Sequence, residues 1–75
     1  MIKTFADRHT KELYETGKSK RLPSDMLKSA RRRLEYLDIA TGVDDLSSIS
    51  INMQWRICFR FVDGDAYDVE ITDYH

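Results

Sequence analysis

The chain is short of the residues that build covalent or metal-held frameworks, with one cysteine, Cys58, and two histidines among its 75 residues. A single cysteine excludes an internal disulfide framework and a cysteine-rich zinc site, and it fits a reducing compartment, so we expect a cytoplasmic protein. His9 and His75 stand alone without metal-ligand spacing, so neither a metal nor a cofactor is expected. No apolar run approaches the roughly 20 residues that cross a bilayer, and no secretory signal is expected, so a membrane is not an expected partner.

Neither sign of charge dominates, because 12 lysines and arginines stand against 13 acidic residues and the net charge is −1. By composition alone the chain does not resemble a nucleic-acid-binding protein, which is usually basic. The basic residues are nevertheless concentrated in the first half of the chain. They include Lys18, Lys20, Arg21, Lys28, Arg31, Arg32 and Arg33. This pattern fits a solvated helix face slightly better than a binding surface, and both interpretations stay open.

Proline and glycine are scarce too, with one and three residues, and they separate segments of regular hydrophobic spacing. The predicted elements are an edge strand at 1–5, a helix at 7–16 ended by Gly17, a second helix from Ser24 as N-cap to 41–42, a strand at 48–52 and a terminal hairpin. One buried stripe is predicted on the second helix by the spacing of Leu27, Ala30, Leu34 and Leu37. The whole chain, 1–75, predicts a single α+β domain. Its two N-terminal helices pack on one face of a small antiparallel sheet and leave the other face open.

The last third of the chain predicts a β-hairpin, because apolar and polar residues alternate on both sides of a turn at 63–65. The residues expected on the apolar face are Trp55, Ile57, Phe59, Phe61, Tyr67, Val69 and Ile71. A two-residue loop would pair Phe59 with Asp68 and bring charge to the apolar face, so a three-residue loop is favoured. The pairs that result are Phe61 with Tyr67, Phe59 with Val69, Ile57 with Ile71, Arg60 with Asp68 and Arg56 with Thr72.

The polar face of this hairpin gathers Arg56, Tyr74 and His75 at one end of the sheet. An arginine binds two phosphate oxygens at once, a histidine transfers a proton near neutral pH, and a tyrosine orients or protonates. The three residue types therefore suit chemistry on a phosphate without a metal. The alternative is that Arg56 forms a solvated cross-strand pair and that Tyr74 and His75 are a frayed end.

Short strings spread over nearly the whole chain match the pattern of one family. They are Met1-Ile2-Lys3-Thr4-Phe5, Leu13-Tyr14-Glu15-Thr16-Gly17-Lys18, Leu37-Asp38-Ile39-Ala40-Thr41, Ser48-Ile49-Ser50-Ile51-Asn52, Gln54-Trp55-Arg56-Ile57, Gly64-Asp65-Ala66 and Asp73-Tyr74-His75. Together they resemble the HigB-type toxins of the RelE superfamily, also called plasmid-maintenance killer proteins. The combination of the Trp-Arg-Ile string with a closing Asp-Tyr-His is specific to this group.

The resemblance implies a RelE-like microbial RNase toxin fold and the toxin of a type II toxin-antitoxin system. Such toxins are messenger RNA endoribonucleases that commonly act on the translating ribosome and arrest growth. The implied partner is a helix-turn-helix antitoxin (HigA-like), through which the toxin reaches operator DNA. The family's catalytic roles carry over to Arg56 on the phosphate, Tyr74 in orientation and His75 in proton transfer. A weaker RNA-binding role is assigned to Lys18, Lys20, Arg21, Arg31, Arg32 and Arg33.

The sequence departs from the family at one place. A long basic loop normally separates the second helix from the next strand, whereas here Asp44-Asp45-Leu46 runs directly into Ser47-Ser48-Ile49. The intact motifs on both sides favour further residues at this point over a true deletion. A true deletion would favour a non-cleaving module that binds an antitoxin or the ribosome. A third alternative is a structural or nucleic-acid-docking domain that uses residues 28–33.

Overall fold

The computed structural model describes residues 1–40 and 48–73 and confirms the predicted α+β fold. The elements are α1 (Arg8–Thr16), a 3-10 turn (Ser24–Met26), α2 (Leu27–Ile39), β1 (Ser48–Ser50), β2 (Trp55–Val62) and β3 (Asp65–Asp73). The strands form one antiparallel sheet in the order β1-β2-β3, and both helices pack against one of its faces. The predicted end of the second helix, Tyr74 and His75 lie outside the described residues.

The core lies between the helix layer and the sheet. Leu13, Leu34 and Leu37 from the helices meet Ile57 and Val69 from the strands, and none of these side chains has exposed surface. Full burial of such a side chain contributes about 1.5–3 kcal/mol to folding. No helix in the described ranges is long and apolar enough to cross a membrane.

The first helix is held at both ends, and its predicted end at Gly17 is confirmed. Asp7 is the N-cap and accepts a hydrogen bond from the backbone N–H of Thr10 at 2.7 Å. Gly17 ends the helix in the left-handed region, at φ +78°, and its N–H bonds to the carbonyl of Leu13 at 2.8 Å. The hydroxyl of Thr10 is buried and accepts a hydrogen bond from the backbone N–H of Ile71 at 3.0 Å. This bond fastens α1 directly to β3.

The second helix begins differently from the prediction. The expected N-cap at Ser24 is wrong, because the chain enters α2 through the 3-10 turn, in which the N–H of Met26 bonds to the carbonyl of Pro23 at 3.2 Å. The predicted stripe is confirmed. Its members Ala30, Leu34 and Leu37 are fully buried, and Leu27 packs half-buried against them.

The hairpin turns through two residues rather than the predicted three. Asp63 and Gly64 have φ of +50° and +84°, the combination required by a two-residue type I′ loop. The pairs next to the turn are Val62 with Asp65, Phe61 with Ala66 and Arg60 with Tyr67. The predicted pairing of Phe61 with Tyr67 is therefore wrong.

A β-bulge restores the predicted register farther along the hairpin. Asp68 adopts φ +53°, and the register shifts between Cys58 and Arg60. Beyond the shift two predicted pairs are confirmed, Ile57 with Ile71 and Arg56 with Thr72. The third, Phe59 with Val69, falls at the bulge itself. The sequence argument against a two-residue loop did not allow for an inserted residue, which keeps the charge of Asp68 out of the core.

The bulge changes which side chains of β3 enter the core. Ala66 and Val69 are fully buried, whereas Tyr67 is half-buried on the polar face opposite Arg60. The prediction that Tyr67 faces the core is therefore wrong. A small residue and a valine fill the positions beneath the helices instead.

The N-terminal segment lies along β3 as the predicted edge, but it forms two isolated parallel bridges instead of a continuous strand. Ile2 bridges to Ala66 and Phe5 to Val69. Thr4 supplies a further link, because its Oγ1 accepts a hydrogen bond from the N–H of Asp68 at 2.8 Å. The segment thereby satisfies a donor that the bulge removes from the β2–β3 ladder.

Candidate active site on the open sheet face

The sheet face away from the helices, called the open face below, carries Arg56 on its middle strand, near one end of the sheet. Arg56 lies in the middle strand, with Ser50 of β1 and Thr72 of β3 as its cross-strand neighbours. Strand alternation directs Arg56 away from the core, because the next residue, Ile57, is fully buried. Arg56 thus lies in a short row of polar residues between Ser50 and Thr72, and it is half-buried. A fixed cation in such a position suits the binding of a phosphate.

Cys58 is the next open-face residue of β2. Its Sγ lies 3.5 Å from Oγ1 of Thr72, and the side chain is half-buried. The contact fits the interpretation of Cys58 as a small strand residue. No cysteine-based chemistry is needed to explain it.

Arg60 forms a cluster with Tyr67 and Asp68 at the other end of the open face. Its guanidinium carbon lies 5.1 Å from the centroid of the Tyr67 ring, and its Nε lies 3.5 Å from Oδ2 of Asp68. The predicted backbone pair of Arg60 with Asp68 is wrong, but the two side chains still meet as an ion pair. The sequence analysis missed Tyr67 as a surface residue. The Asp63-Gly64 turn was the signal for it, since that dipeptide favours a two-residue loop.

The end of the sheet beside Arg56 is shaped by the connection between β1 and β2. Oδ1 of Asn52 accepts hydrogen bonds from the N–H groups of Gln54 and Trp55, both at 2.8 Å. Nε2 of Gln54 donates to Oδ2 of Asp73 at 3.1 Å. Trp55 packs half-buried against the core, which confirms it as a core aromatic residue rather than a stacking platform. The connection thereby fixes the last described residue of β3.

The described part of the chain therefore ends next to the candidate site. Asp73 pairs with Trp55, one position along β2 from Arg56. Tyr74 and His75 follow Asp73 in the sequence but lie outside the described residues. Their assignment to the site remains a prediction from the hairpin register and the family resemblance.

The predicted RNA-binding lysines and arginines are not brought together with Arg56. All six are exposed, and they lie in the helix layer or in the connection between the helices: Lys18, Lys20, Arg21, Arg31, Arg32 and Arg33. Arg31 is partly engaged, because its Nε donates to the carbonyl of Tyr14 at 3.3 Å and lies 3.9 Å from Oε1 of Glu35. A shallow groove of about 480 Å³ runs beside it and includes Lys28 and Arg32. These residues form a second basic surface, separate from the open face.

A polar pair with shifted pKa values lies away from the open face. The backbone N–H of Ile2 donates to Oδ1 of Asp38 at 2.8 Å, and this bond holds the pKa of the carboxyl below its ordinary value against the opposing effect of burial. The hydroxyl of Tyr14 also hydrogen-bonds to Asp38. Burial first, and this bond second, raise the pKa of Tyr14. Both shifts have a structural cause, since the pair ties the N-terminal segment to α2.

One of the two histidines, His9, belongs to the described residues. His9 lies on α1 and is half-buried. Among residues 1–40 and 48–73, no group of three or more histidine, cysteine, aspartate or glutamate side chains is arranged to hold a metal ion.

An α+β domain with two helices on one sheet face and a strand arginine on the other is consistent with a RelE-like toxin. Comparison with known proteins then gives the family, although no protein-family model matches the chain. Endoribonuclease HigB of Proteus vulgaris is 32% identical over 92 aligned positions that include 100% of both chains. Toxin HigB-1 of Vibrio cholerae serotype O1 is 33% identical over 93 positions, covering 99% of this chain and 98% of the relative. The chain therefore belongs to the HigB family of toxins.

The chain is shorter than these relatives within the aligned region. The alignment with the Proteus protein spans 92 positions and contains all 75 residues of this chain, so 17 positions have no residue here. The sequence itself is continuous from Leu46 through Ser47 to Ser48. The expectation of further residues at this point stays a prediction, which the mass of the purified protein checks against the 8.8 kDa of the 75 residues.

Proposed function

We propose that the chain is the toxin of a type II toxin-antitoxin system and acts as a metal-independent endoribonuclease. It cuts messenger RNA in the cytoplasm, on the translating ribosome, and thereby arrests growth. The observation that carries the proposal is the position of Arg56, a cation on the middle strand of the open face in a HigB-family chain. A non-cleaving module is less favoured, because a relative aligned along its whole length bears the name endoribonuclease.

The proposed reaction is an intramolecular transphosphorylation. The ribose 2′-hydroxyl attacks the adjacent phosphorus, the bond to the 5′-oxygen of the next nucleotide breaks, and the products carry a 2′,3′-cyclic phosphate and a free 5′-hydroxyl. Negative charge builds up on the phosphate oxygens during the attack, and Arg56 neutralises it with charge-assisted hydrogen bonds. Tyr74 orients the phosphate, and His75 transfers the proton that the attacking 2′-hydroxyl loses to the leaving 5′-oxygen, which departs as a hydroxyl.

The proposed protein partner is a helix-turn-helix antitoxin of the HigA type, through which the toxin contacts operator DNA. Its expected contact is the outer surface of α1, around residues 7–18. The inner side of this helix is occupied by the buried Thr10 and Leu13, whereas Lys11 and Glu15 are exposed. An antitoxin on this surface leaves the open face uncovered.

The exposed basic residues of the helix layer are proposed as a secondary contact with ribosomal or messenger RNA. The groove beside Arg31 places Lys28 and Arg32 close together, which suits a phosphate backbone. Replacement of Lys28 and Arg32 by neutral residues should weaken ribosome binding whatever the sequence of the messenger RNA. It should also reduce the salt dependence of that binding and leave the cleavage chemistry unchanged.

The test measures the rate at which the Arg56→Ala variant cleaves messenger RNA in the presence of ribosomes. Primer extension detects the cleaved RNA. The expected result is a loss of about 10²–10³-fold in cleavage rate, by analogy with the removal of one transition-state donor. Arg8→Ala is the matched control, because Arg8 is an exposed arginine of α1 that is not among the residues assigned to RNA binding. Circular dichroism must show both variants folded. Cleavage by folded Arg56→Ala at the wild-type rate would remove Arg56 from the mechanism.

A further inference from the structure

We propose that Arg60 and Tyr67 form a stacking subsite for a nucleobase on the open face. The subsite takes the base of a nucleotide neighbouring the one whose phosphate Arg56 binds, and the proposal rests on the proposed endoribonuclease function. Its role is to hold and select the RNA rather than to take part in bond breakage.

The first observation is that Tyr67 reaches the open face only because of the hairpin geometry. The two-residue turn at 63–64 pairs Tyr67 with Arg60, and the bulge at Asp68 then restores the apolar register for the rest of β3. Ala66 takes the core position that the alternating pattern assigned to the tyrosine. A half-buried aromatic ring is thus placed on the open face rather than in the core.

The second observation is the stacked arrangement of the cluster. The Arg60 guanidinium carbon lies over the Tyr67 ring, 5.1 Å from its centroid, and Nε of Arg60 lies 3.5 Å from Oδ2 of Asp68. Side chains of Arg60 and Asp68 are each 62% exposed, so the outer side of the guanidinium faces solvent. Proteins bind unpaired bases by stacking them on aromatic rings and on arginine planes. A base on Arg60 would extend the existing stack of ring and guanidinium by one layer.

The third observation is the placement of the cluster relative to Arg56. Arg56 and Arg60 lie on the same strand and the same face, four residues apart, which is about 13 Å along the strand. On the open face of β2, the half-buried Cys58 is the one side chain between these two arginines. An RNA strand running along β2 can therefore place a phosphate at Arg56 and a neighbouring base at Arg60.

The experiment measures binding of a single-stranded oligoribonucleotide whose riboses are all 2′-O-methylated. This probe lacks the attacking hydroxyl, so binding is observed without cleavage. Tyr67→Leu should weaken binding by about 5- to 150-fold, the range for loss of one stacked base, while Tyr67→Phe should bind like the wild type. Arg60→Lys should also weaken binding, because it keeps the charge but loses the plane. Tyr36→Leu is the matched control, since Tyr36 is 63% exposed on α2.

A base-removal series then locates the subsite. Removal of the base at one position of the probe should weaken binding to the wild type. Removal of the same base should hardly change binding to the Tyr67→Leu variant. Equal losses in both proteins at every position would overturn the subsite. So would full-strength binding by Tyr67→Leu and Arg60→Lys, or an absence of measurable binding by the wild type.

These outcomes are separable from failure of the proposed function. If unmodified RNA is not cleaved but the abasic change is coupled to Tyr67, the subsite stands and the endoribonuclease proposal fails. If RNA is cleaved in an Arg56-dependent manner while Tyr67→Leu binds and cleaves like the wild type, the enzyme proposal stands and the subsite fails. Thermal unfolding followed by circular dichroism confirms that the compared variants are folded.

Discussion

The backbone N–H of Asp68 donates a hydrogen bond to Oγ1 of Thr4 at 2.8 Å, across 64 positions of sequence. The donor belongs to the bulged residue of β3, and the acceptor belongs to the segment that runs beside that strand. The neighbouring contacts repeat the pattern, because the N–H of Val69 bonds to the carbonyl of Thr4 at 3.1 Å. The N-terminal segment therefore supports the bulge that keeps the charge of Asp68 out of the core and returns Val69 to it.

The left-handed backbone of the bulge predicts that glycine at position 68 is more stable than valine, the reverse of the usual order in a strand. Its φ of +53° lies in the left-handed region, which a β-branched residue adopts at a cost of about 1–2 kcal/mol. Asp68→Val should therefore unfold more easily than Asp68→Gly in urea. Glu70, an ordinary position two residues along the same strand, is the control, and there valine should be more stable than glycine. The same ranking at both positions would show that the left-handed conformation of Asp68 is not required.

The buried bond between Thr10 and Ile71 predicts a large effect for a nearly isosteric change. Thr10→Val leaves the N–H of Ile71 buried without its acceptor, and the free energy of unfolding should fall by about 1–3 kcal/mol. Thr16→Val is the matched control on the same helix. The hydroxyl of Thr16 is exposed and bonds to the carbonyl of Glu12, so its loss should cost within about 0.5 kcal/mol. Equal losses in the two variants would contradict a special role for the buried bond.

The lowered pKa of Asp38 predicts that the free energy of unfolding decreases in acid. Its pKa is lower in the folded protein than in the unfolded chain, chiefly because the N–H of Ile2 binds the carboxylate. The stabilisation is therefore present above the unfolded pKa of about 3.9 and is lost as the pH falls through the lower folded pKa. Urea midpoints measured from pH 7 to pH 2 should fall less steeply for Asp38→Asn than for the wild type. Parallel curves would mean that Asp38 does not contribute to acid sensitivity.

The proposed antitoxin surface predicts a separation of binding from catalysis. Charge reversal at Lys11 and Glu15 should weaken the complex with the antitoxin and leave RNA cleavage by the free toxin unchanged. Calorimetric titration and primer extension give the two readouts. Arg56→Ala should show the opposite behaviour, with normal antitoxin binding and lost cleavage. If Arg56→Ala abolishes antitoxin binding instead, the antitoxin covers the open face and the proposed arrangement is wrong.

Growth provides a test of the proposed residues in the cell. Expression of the chain without its antitoxin should arrest growth, and Arg56→Ala or deletion of His75 should relieve the arrest. Arg56→Ala removes no residue from the core between helices and sheet, so it should cost within about 1 kcal/mol of stability. Circular dichroism of the purified variants checks this. Continued arrest by a folded, His75-deleted chain would exclude the proposed proton transfer by His75.

The sequence by itself determined the layers of this protein. Apolar residues at helical spacing defined the buried stripe of α2, and Asp7 and Gly17 marked the limits of α1 by local capping chemistry. Alternation along β2 put Arg56 on the face away from the core, and the same rule made Trp55 a core residue. Each of these depends on neighbours within a few positions in the chain, so the pattern carries the information.

Only the tertiary structure decided the register near the turn and the placement of Tyr67. Simple alternation counts each residue once, so it could not represent an extra residue inserted at Asp68. The insertion is tolerated because the N–H of Asp68 finds Thr4, a partner remote in sequence, and because Ala66 fits beneath the segment at Ile2. Such long-range compensation leaves no local signature, so the Asp63-Gly64 dipeptide could favour the two-residue loop that places Tyr67 on the open face but could not show how the apolar register is restored beyond Asp68.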